Sequence, residues 1–407
     1  MDYATDYDVG EKKRDVGINE DSVALVVFED GHRMGLARGG GSASEPRAES
    51  SGQSHPQTAE SDDGGGSDNE AGEDASGVAD VAADADEGSP PEAGPAGEAG
   101  EHVRNRSAAA FALADGAGGH DAGDVASYIA STVVCERLAE IAIRTARADP
   151  DPFDIEVGES LPSPPTRQEI HEAISDAIDD AHGAVLDYSA EAGQAAYTTV
   201  VAGIAVDGEL HYGWVGDSRA YLCNRQHGTI DRLTADHAVV TQLEEAGEID
   251  DVEAMVHPRG NEITRALGGR SAPQGAVTIE VDTNTVDLYG DDVVLLTSDG
   301  LIDAQTDAPD LFEEYVAADR SEAAAEAVRD AVVTDAEIRD VLLDAESLSG
   351  AASDFTELAN DRGGKDNIST MLFADTTLPA APSRVPVRGV ERPAPLESRD
   401  TVVLKEE

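Results

Sequence analysis

Apolar residues in this chain follow two different spacings. Short apolar runs of the kind that buried strands make are "SVALVVFE" (22–29), "AAAFALAD" (108–115), "TTVVAGIAV" (198–206), "ELHYGWVG" (209–216) and "AYLCN" (220–224). Further along come "AVTIEVD" (276–282), "DVVLLTSD" (292–299) and "NISTMLFAD" (367–375). Helical spacing governs 124–146, where Val125, Ile129, Val133 and Leu138 recur, and 167–188, where Ile170, Ile174 and Ile178 form one stripe. Two polar segments after Asn224 and the Ala- and acid-rich stretch 309–360 also read as mostly helical. Strands in runs and helices in separate blocks argue against alternating βαβ units. They favour antiparallel sheets with helices packed outside.

One stretch breaks the pattern. From about Gly39 to Glu101 the chain is Gly, Ser, Ala and acid, and no aromatic residue occurs between Phe28 and Phe111. With so little apolar surface to bury, such a segment cannot offset its ordering entropy. The expected organisation is therefore a folded unit begun by 1–38 and completed by 105–376, a disordered acidic insert at 39–104, and a Pro-rich flexible tail at 377–407.

Charge changes the picture next. The 407 residues hold 84 acidic against 28 basic side chains, a net charge of −56. Residues 41–101 account for 16 acids and one Arg, so most of the acidity lies elsewhere. A surface this negative repels nucleic acid, and it suits a protein kept soluble in concentrated salt, hence a halophilic host. Cys135 and Cys223 have no ligand spacing and no disulfide partner pattern. The opening "MDYATDYDVGEKK" holds no apolar stretch to act as a signal, and no run approaches the roughly 20 residues of a membrane span. A cytoplasmic monomer with neither a nucleic-acid nor a membrane partner is the expectation.

The chemistry lies at strand ends. "FALADGAGG" ends an apolar run on Asp115-Gly116, and "VVLLTSDGLID" repeats the design with Asp299-Gly300. By itself, Asp-Gly after an apolar run is a common β-turn signal. Here Asp217 also sits between two strand-like runs, Asp366 just before the last strand, and Glu20 and Asp21 just before the first. If these ends share a rim, the crowded carboxylates cannot all stay ionised without cations between them. With oxygen donors only, hard Mg2+ or Mn2+ is favoured over Zn2+ or copper. The glycine after Asp115 lets backbone approach an ion closely.

"NEDS" (19–22), "ALADGAGGHDAG" (112–123), "VGDSRAYL" (215–222), "LTADHAVV" (233–240), "ITRALGG" (263–269), "LLTSDGLID" (295–303) and "GGKDNIST" (363–370) together resemble the ordered motif set of the metal-dependent protein phosphatases, the protein phosphatase 2C-like (PPM) family, in its prokaryotic form. The resemblance covers about 8–30 and 107–375. It implies an α+β fold, a four-layer αββα sandwich of two antiparallel sheets flanked by helices. It also implies two Mg2+ or Mn2+ ions whose bridging water hydrolyses phosphoserine or phosphothreonine of proteins in a Ser/Thr kinase signalling pathway. Carried over, Asp115, Asp299 and Asp366 are the catalytic carboxylates. Asp115 bridges both ions, Glu20 and the Gly116 carbonyl serve one, and Asp299 and Asp366 serve the other. Asp217 matches the position that helps hold a third, weaker ion, and Asn367 supports the ligands.

Two positions depart from the family. Its phosphate-contacting Arg would fall at Val16, and the nearest candidate is Arg14. Where some members carry a general-acid His after Asp-Gly there is Ala117, with His120 three residues on and read as structural. Other roles stay open. Asp217 and Ser218 either close a hairpin or serve ions, His237 packs or caps rather than touching metal, and Arg265 pairs with phosphate or with a carboxylate. A cysteine phosphatase is excluded, because C-x5-R would need Arg where Ile141 and Thr229 stand. "GDSRA" (216–220) lacks the last Gly of a serine-hydrolase elbow. From another class, the alternative is a catalytically weak module that binds phosphoproteins.

Overall fold

A computed structural model of the chain describes residues 1–14, 17–29, 32–40, 107–117, 122–146, 165–269, 278–384 and 387–389, with the backbone alone for 29 and 32–40. The insert expected at 39–104 falls almost wholly outside the described residues, as do Val16 and His120.

The strands are β1 (Asp2–Asp8), β2 (Asp21–Glu29), β3 (His32–Gly40), β4 (Ala108–Ala117), β5 (Ala196–Thr198), β6 (Val200–Val206), β7 (Glu209–Val215), β8 (Arg219–Asn224), β9 (Thr229–Arg232), β10 (Leu267–Gly269), β11 (Asp282–Asp287), β12 (Asp292–Thr297) and β13 (Ile368–Ala374). The helices are α1 (Gly123–Ala146), α2 (Arg167–Ala192), α3 (Val239–Glu245), α4 (Asp251–Val256), α5 (Asp299–Ile302), α6 (Ala308–Ala317), α7 (Glu322–Ala331), α8 (Asp335–Asp344) and α9 (Leu348–Arg362). Their starts are written locally: Thr166 with Glu169, Asp250 with Glu253 and Thr334 with Glu337 each close a reciprocal capping box on α2, α4 and α8.

Five strands pair in the order β1-β13-β12-β8-β9. Eight form a second sheet along β10-β5-β4-β6-β7-β11, with β2 on β4 and β3 on β2. The pairings are antiparallel throughout. Between the sheets lie Leu25, Phe111, Leu113, Tyr212 and Trp214 from the larger, facing Leu222, Leu296, Met371 and Phe373 from the smaller. The larger sheet's other face meets α1 and α2; the smaller sheet's meets α5, α8 and α9. This is the helix–sheet–sheet–helix sandwich expected of the family.

Four details differ from the sequence pattern. Strand β1 has no apolar run, yet pairs with β13 along its length and turns only Ala4 into the core. Of the strand expected at 276–282, residues 276–277 lie outside the described residues and 278–281 are not strand; β11 begins at Asp282 with the polar sequence "DTNTVD", because pairing with β7 supplies what its pattern lacks. On α1 the buried face is Ala126, Ala130, Val134, Leu138 and Ala142, while Val125, Ile129 and Val133 are half-buried. Small side chains let this helix approach the sheet closely, and the larger ones lie toward its flanks. The fourth is the tail. Gly290 and Ala381 donate backbone N–H to Pro379 O (2.8 Å) and Asp291 Oδ2 (3.0 Å), and Arg388 is only 6 % exposed. Its guanidinium grips the buried Asp292 carboxylate at 2.5 and 2.9 Å and lies 5.3 Å from the Tyr289 ring centre. A tail read as flexible thus touches the folded unit at Pro379, Ala381 and Arg388, because a buried carboxylate requires a buried cation.

Candidate metal and phosphate site

The strand ends that carry carboxylates meet on one rim. Asp115 ends β4, Asp217 lies in the β7–β8 turn, Asp299 follows β12 and opens α5, Asp366 precedes β13, and Glu20 precedes β2. The register of β2 on β4 sets Asp21 opposite Asp115. A cavity of about 40 Å3 lies among Lys13, Asp115, Gly116, Thr199, Asp217, Asp299 and Asp366, with Asn261 and Ile263 on its edge.

The backbone at Asp115 and at Glu20 is held from behind. Thr199 Oγ1 accepts the Asp115 N–H at 3.0 Å, while Thr198 Oγ1 and Thr199 N both donate to Asp115 O at 2.8 Å. Thr199 shares its hydroxyl with Ser218 at 2.7 Å, so Ser218 supports Asp115 through one neighbour. Asn367 Oδ1 accepts the Glu20 N–H at 2.9 Å, and its Nδ2 donates to Val9 O and Ile18 O. That amide ties both segments leading to Glu20 to the start of β13. Two glycines make these approaches possible: a Cβ on Gly116 would stand 2.1 Å from Gly123 O, and one on Gly300 1.9 Å from Asn367 O.

Crowding shows in the acidities. Burial, then Asp21, Asp299, Asp366 and Asp217, push the Asp115 carboxyl well above its ordinary range. Asp299 is raised by burial and then by Asp217, Asp366 and Asp303. Burial carries Asp217 to about 7, with Asp236 adding to it. Asp21, also at about 7 through burial, accepts from Ser298 Oγ at 2.8 Å, and its Oδ1 meets no partner among the described residues. Anions this close want counter-cations.

Among the described residues, one cationic side chain lines the cavity. Lys13 Nζ contacts Asp366 and lies 3.8 Å from Glu20 Oε2. Burial alone would lower its pKa, but Asp366, Asp115 and Glu20 outweigh that and raise it. Arg14, the sequence-based candidate, lies elsewhere: its guanidinium is 56 % exposed and 3.6 Å from Asp8. The two neighbours belong to one "KKRD" run, and only the fold decides which faces the cavity. Arg265 pairs with Asp282 at 3.2 Å and with Glu280 O at 3.0 Å, so it takes the carboxylate role. His237 Nδ1 accepts the Gly216 N–H at 3.0 Å and its Nε2 meets Asp282 at 2.7 Å, fixing the turn before Asp217. Asp236 and Asp303, not singled out in the sequence, act on Asp217; Asp303 follows α5 and Asp236 is gripped by Arg219 at 2.6 Å.

Among the described residues no three carboxylates, imidazoles or thiols close on one point as a finished ion cage. They line a common cavity instead, as all-oxygen donors of one sign, which is the donor set hard dications take.

The chain matches the protein phosphatase 2C family over residues 96–339. It is 33% identical over 261 residues to the serine/threonine phosphatase stp of Listeria welshimeri, a match covering 64% of this chain and 82% of that protein. The chain belongs to the protein phosphatase 2C family. This phosphatase is also 28% identical over 266 residues to protein phosphatase PhpP of Streptococcus pneumoniae, across 64% of the chain and 84% of the relative. A solved bacterial serine phosphatase aligns over 66% of the chain and 86% of its own, at 25% identity and a TM-score of 0.47. Membership makes this chain a protein phosphatase of a metal-dependent family. Glu20 and Asp366 lie outside the matched residues, and folding brings both to the phosphatase's Asp115 rim.

Proposed function

We propose that this phosphatase hydrolyses phosphoserine and phosphothreonine in proteins, in the cytoplasm, at a centre of Mg2+ or Mn2+ ions held by Asp115, Glu20, Asp299 and Asp366 with the Gly116 carbonyl. One observation carries the reading: Asp115, Asp217, Asp299 and Asp366 line one cavity, and burial with neighbouring carboxylates raises the first three. The names of the relatives support the substrate class. Among the described residues no helix is long and apolar enough to cross a membrane.

When bound, such ions supply a water of lowered pKa and offset charge on a phosphoryl group. The chain's residues do the rest. Thr199 and Thr198 hold Asp115 in place; Asn367 holds Glu20. Lys13, the cationic side chain on the central cavity's lining, contacts the substrate phosphate in place of Arg14. An ammonium offers a point charge rather than a fork, so it tolerates several phosphate orientations. Asp217, beside Asp236 and Asp303, serves a third, weaker ion. A catalytically weak binding module would not require the carboxylate set of Glu20, Asp115, Asp299 and Asp366.

The test is chelation and repletion on phosphoserine and phosphothreonine peptides. Activity should vanish with chelator and return with Mn2+. Asp299→Asn should weaken Mn2+ binding measured by calorimetry and lower turnover with it. Turnover that survives complete chelation, or a trapped phosphorylated form of the protein, overturns the reading.

A further inference from the structure

A second cavity, of about 910 Å3, opens beside the first and shares Asp217 and Asp299 with it. It lies between the α3–α4 segment, which supplies Val240, Thr241 and Met255, and the run from α5 to α8, which supplies Ile302, Val333 and Ala336. This is near the upper end of the roughly 300–1,000 Å3 of pockets that enclose drug-sized ligands. A phosphorylated side chain fills only a small part of it.

Both walls are held. Arg320, in the turn between α6 and α7, meets Glu253 of α4 at 2.6 Å, and Tyr315 OH donates to Asp250 at 3.1 Å. Val252 and Val256 of α4 pack with Tyr315, Ala325 and Val328 of α6 and α7. The space is thus a formed groove, continuous with the carboxylate centre.

Its lining has a definite charge. Carboxylates outnumber arginines nine to four. Each arginine already faces a carboxylate: Arg219 and Arg232 face Asp236 at 2.6 and 3.8 Å, Arg329 faces Glu322 at 3.0 Å, and Arg362 faces Glu337. At the inner end Asp217 and Asp299 belong to the ion centre, with Asp303 beside them. At the outer end Asp251, Asp330 and Asp335 stand exposed on the rim. A concave wall of one sign focuses the field felt by an incoming chain.

We infer that this groove seats the polypeptide flanking the phosphorylated residue and selects sequences with basic side chains there. The inference rests on the proposed phosphatase reading. The apolar middle accepts side-chain stems, and the acidic rim meets the charged ends of Lys or Arg.

The test compares three substrates in Mn2+: p-nitrophenyl phosphate, a phosphothreonine peptide with arginines on both sides, and the same peptide with glutamates. The arginine peptide should show kcat/KM about ten-fold or more above the glutamate peptide at 0.15 M salt, and less in 2 M salt, where screening shortens to a few ångströms. Asp251→Asn with Asp330→Asn should shrink that ratio several-fold, with the ester as internal reference. Ala336→Trp, at an exposed position on α8, should raise KM for both peptides far more than for the ester. If the ester is hydrolysed but the two peptides are equivalent, or if neither variant changes the peptide-to-ester ratio, the inference is wrong. If the ester is not hydrolysed at all, the phosphatase reading itself fails.

Discussion

Arg388 and Asp292 form the most enclosed ion pair in the described chain, far from the reacting end of β12. Asp292 also accepts from Asn224 Nδ2 at 2.7 Å and from Tyr289 N at 2.8 Å, so its carboxylate is fixed before the tail arrives. Removing one partner of such a pair costs about 3–5 kcal/mol, because the other charge stays buried. Arg388→Met should therefore lower the thermal midpoint clearly, and adding Asp292→Asn should recover part of the loss. Equal midpoints for wild type and Arg388→Met would show that the tail contributes nothing. Lys13 makes the complementary case for function. Lys13→Met should raise KM for p-nitrophenyl phosphate about ten-fold or more, the worth of a charge-assisted contact, while Arg14→Ala should change it less than two-fold. His211 gives a pH effect. It is 1 % exposed, 2.8 Å from Thr285 Oγ1 and 3.2 Å from Glu209. Burial first, with His171 and Arg167 adding to it, takes its pKa from 6.5 down to about 4, against the pull of Glu209. Between those values the unfolded chain binds the proton and the folded chain does not. Its contribution is full above about 6.5 and is lost as pH falls toward about 4. Melting curves across that window should be flatter for His211→Gln than for wild type.

At the scale of elements, the α6–α7 turn combines strain with contact. Asp319 and Arg320 take φ of 55° and 53°, two adjacent non-glycine residues in left-handed backbone. Each such residue costs about 1–2 kcal/mol, and here the conformation delivers the Arg320 guanidinium to Glu253, which is 3 % exposed. Two effects then oppose each other on substitution. Arg320→Ala loses the pair and keeps the strain, whereas Arg320→Gly loses the pair and relieves it. The glycine variant should be the more stable of the two, and both should exchange amide hydrogens in α4 faster than wild type. An alanine variant as stable as the glycine one would mean the turn carries no strain. The starts of α2 at Arg167 and of β12 at Asp292 were legible in the sequence, because a capping box and local periodicity set them, whereas α2 runs on to Ala192 and β12 stops at Thr297. Strands β1 and β11 were not, because their partners β13 and β7 supply the ladder.

Across the whole molecule, self-repulsion of like charge is the largest force opposing the fold that salt can relieve. A net −56 on 407 residues favours expansion until salt screens it. The thermal midpoint should rise from 0.1 M to 2 M KCl, and a flat or falling curve would contradict the reading of the surface as one adapted to salt. The acidic stretch between β3 and β4 belongs to this scale too. Its composition gives no apolar groups to a core, so replacing 42–100 by a short Gly/Ser bridge should leave hydrolysis of a small ester within a few-fold of wild type. Loss of folding or of Mn2+ affinity in that variant would assign the stretch a structural part.

The sequence by itself determined the strand ends that carry Asp115, Asp217, Asp299 and Asp366, the two long helices and the family, because each is written in a short run of residues. Tertiary structure decided what those runs meet. Glu20 and Asn367 are joined across 347 residues, and Ser298 and Asp21 across 277. Lys13 faces the cavity while Arg14 turns to Asp8, and Ala126 rather than Val125 faces the sheet. Arg388 returns to Asp292 across 96 residues. Such choices depend on register and on which buried charge lacks a partner, and no local pattern encodes either.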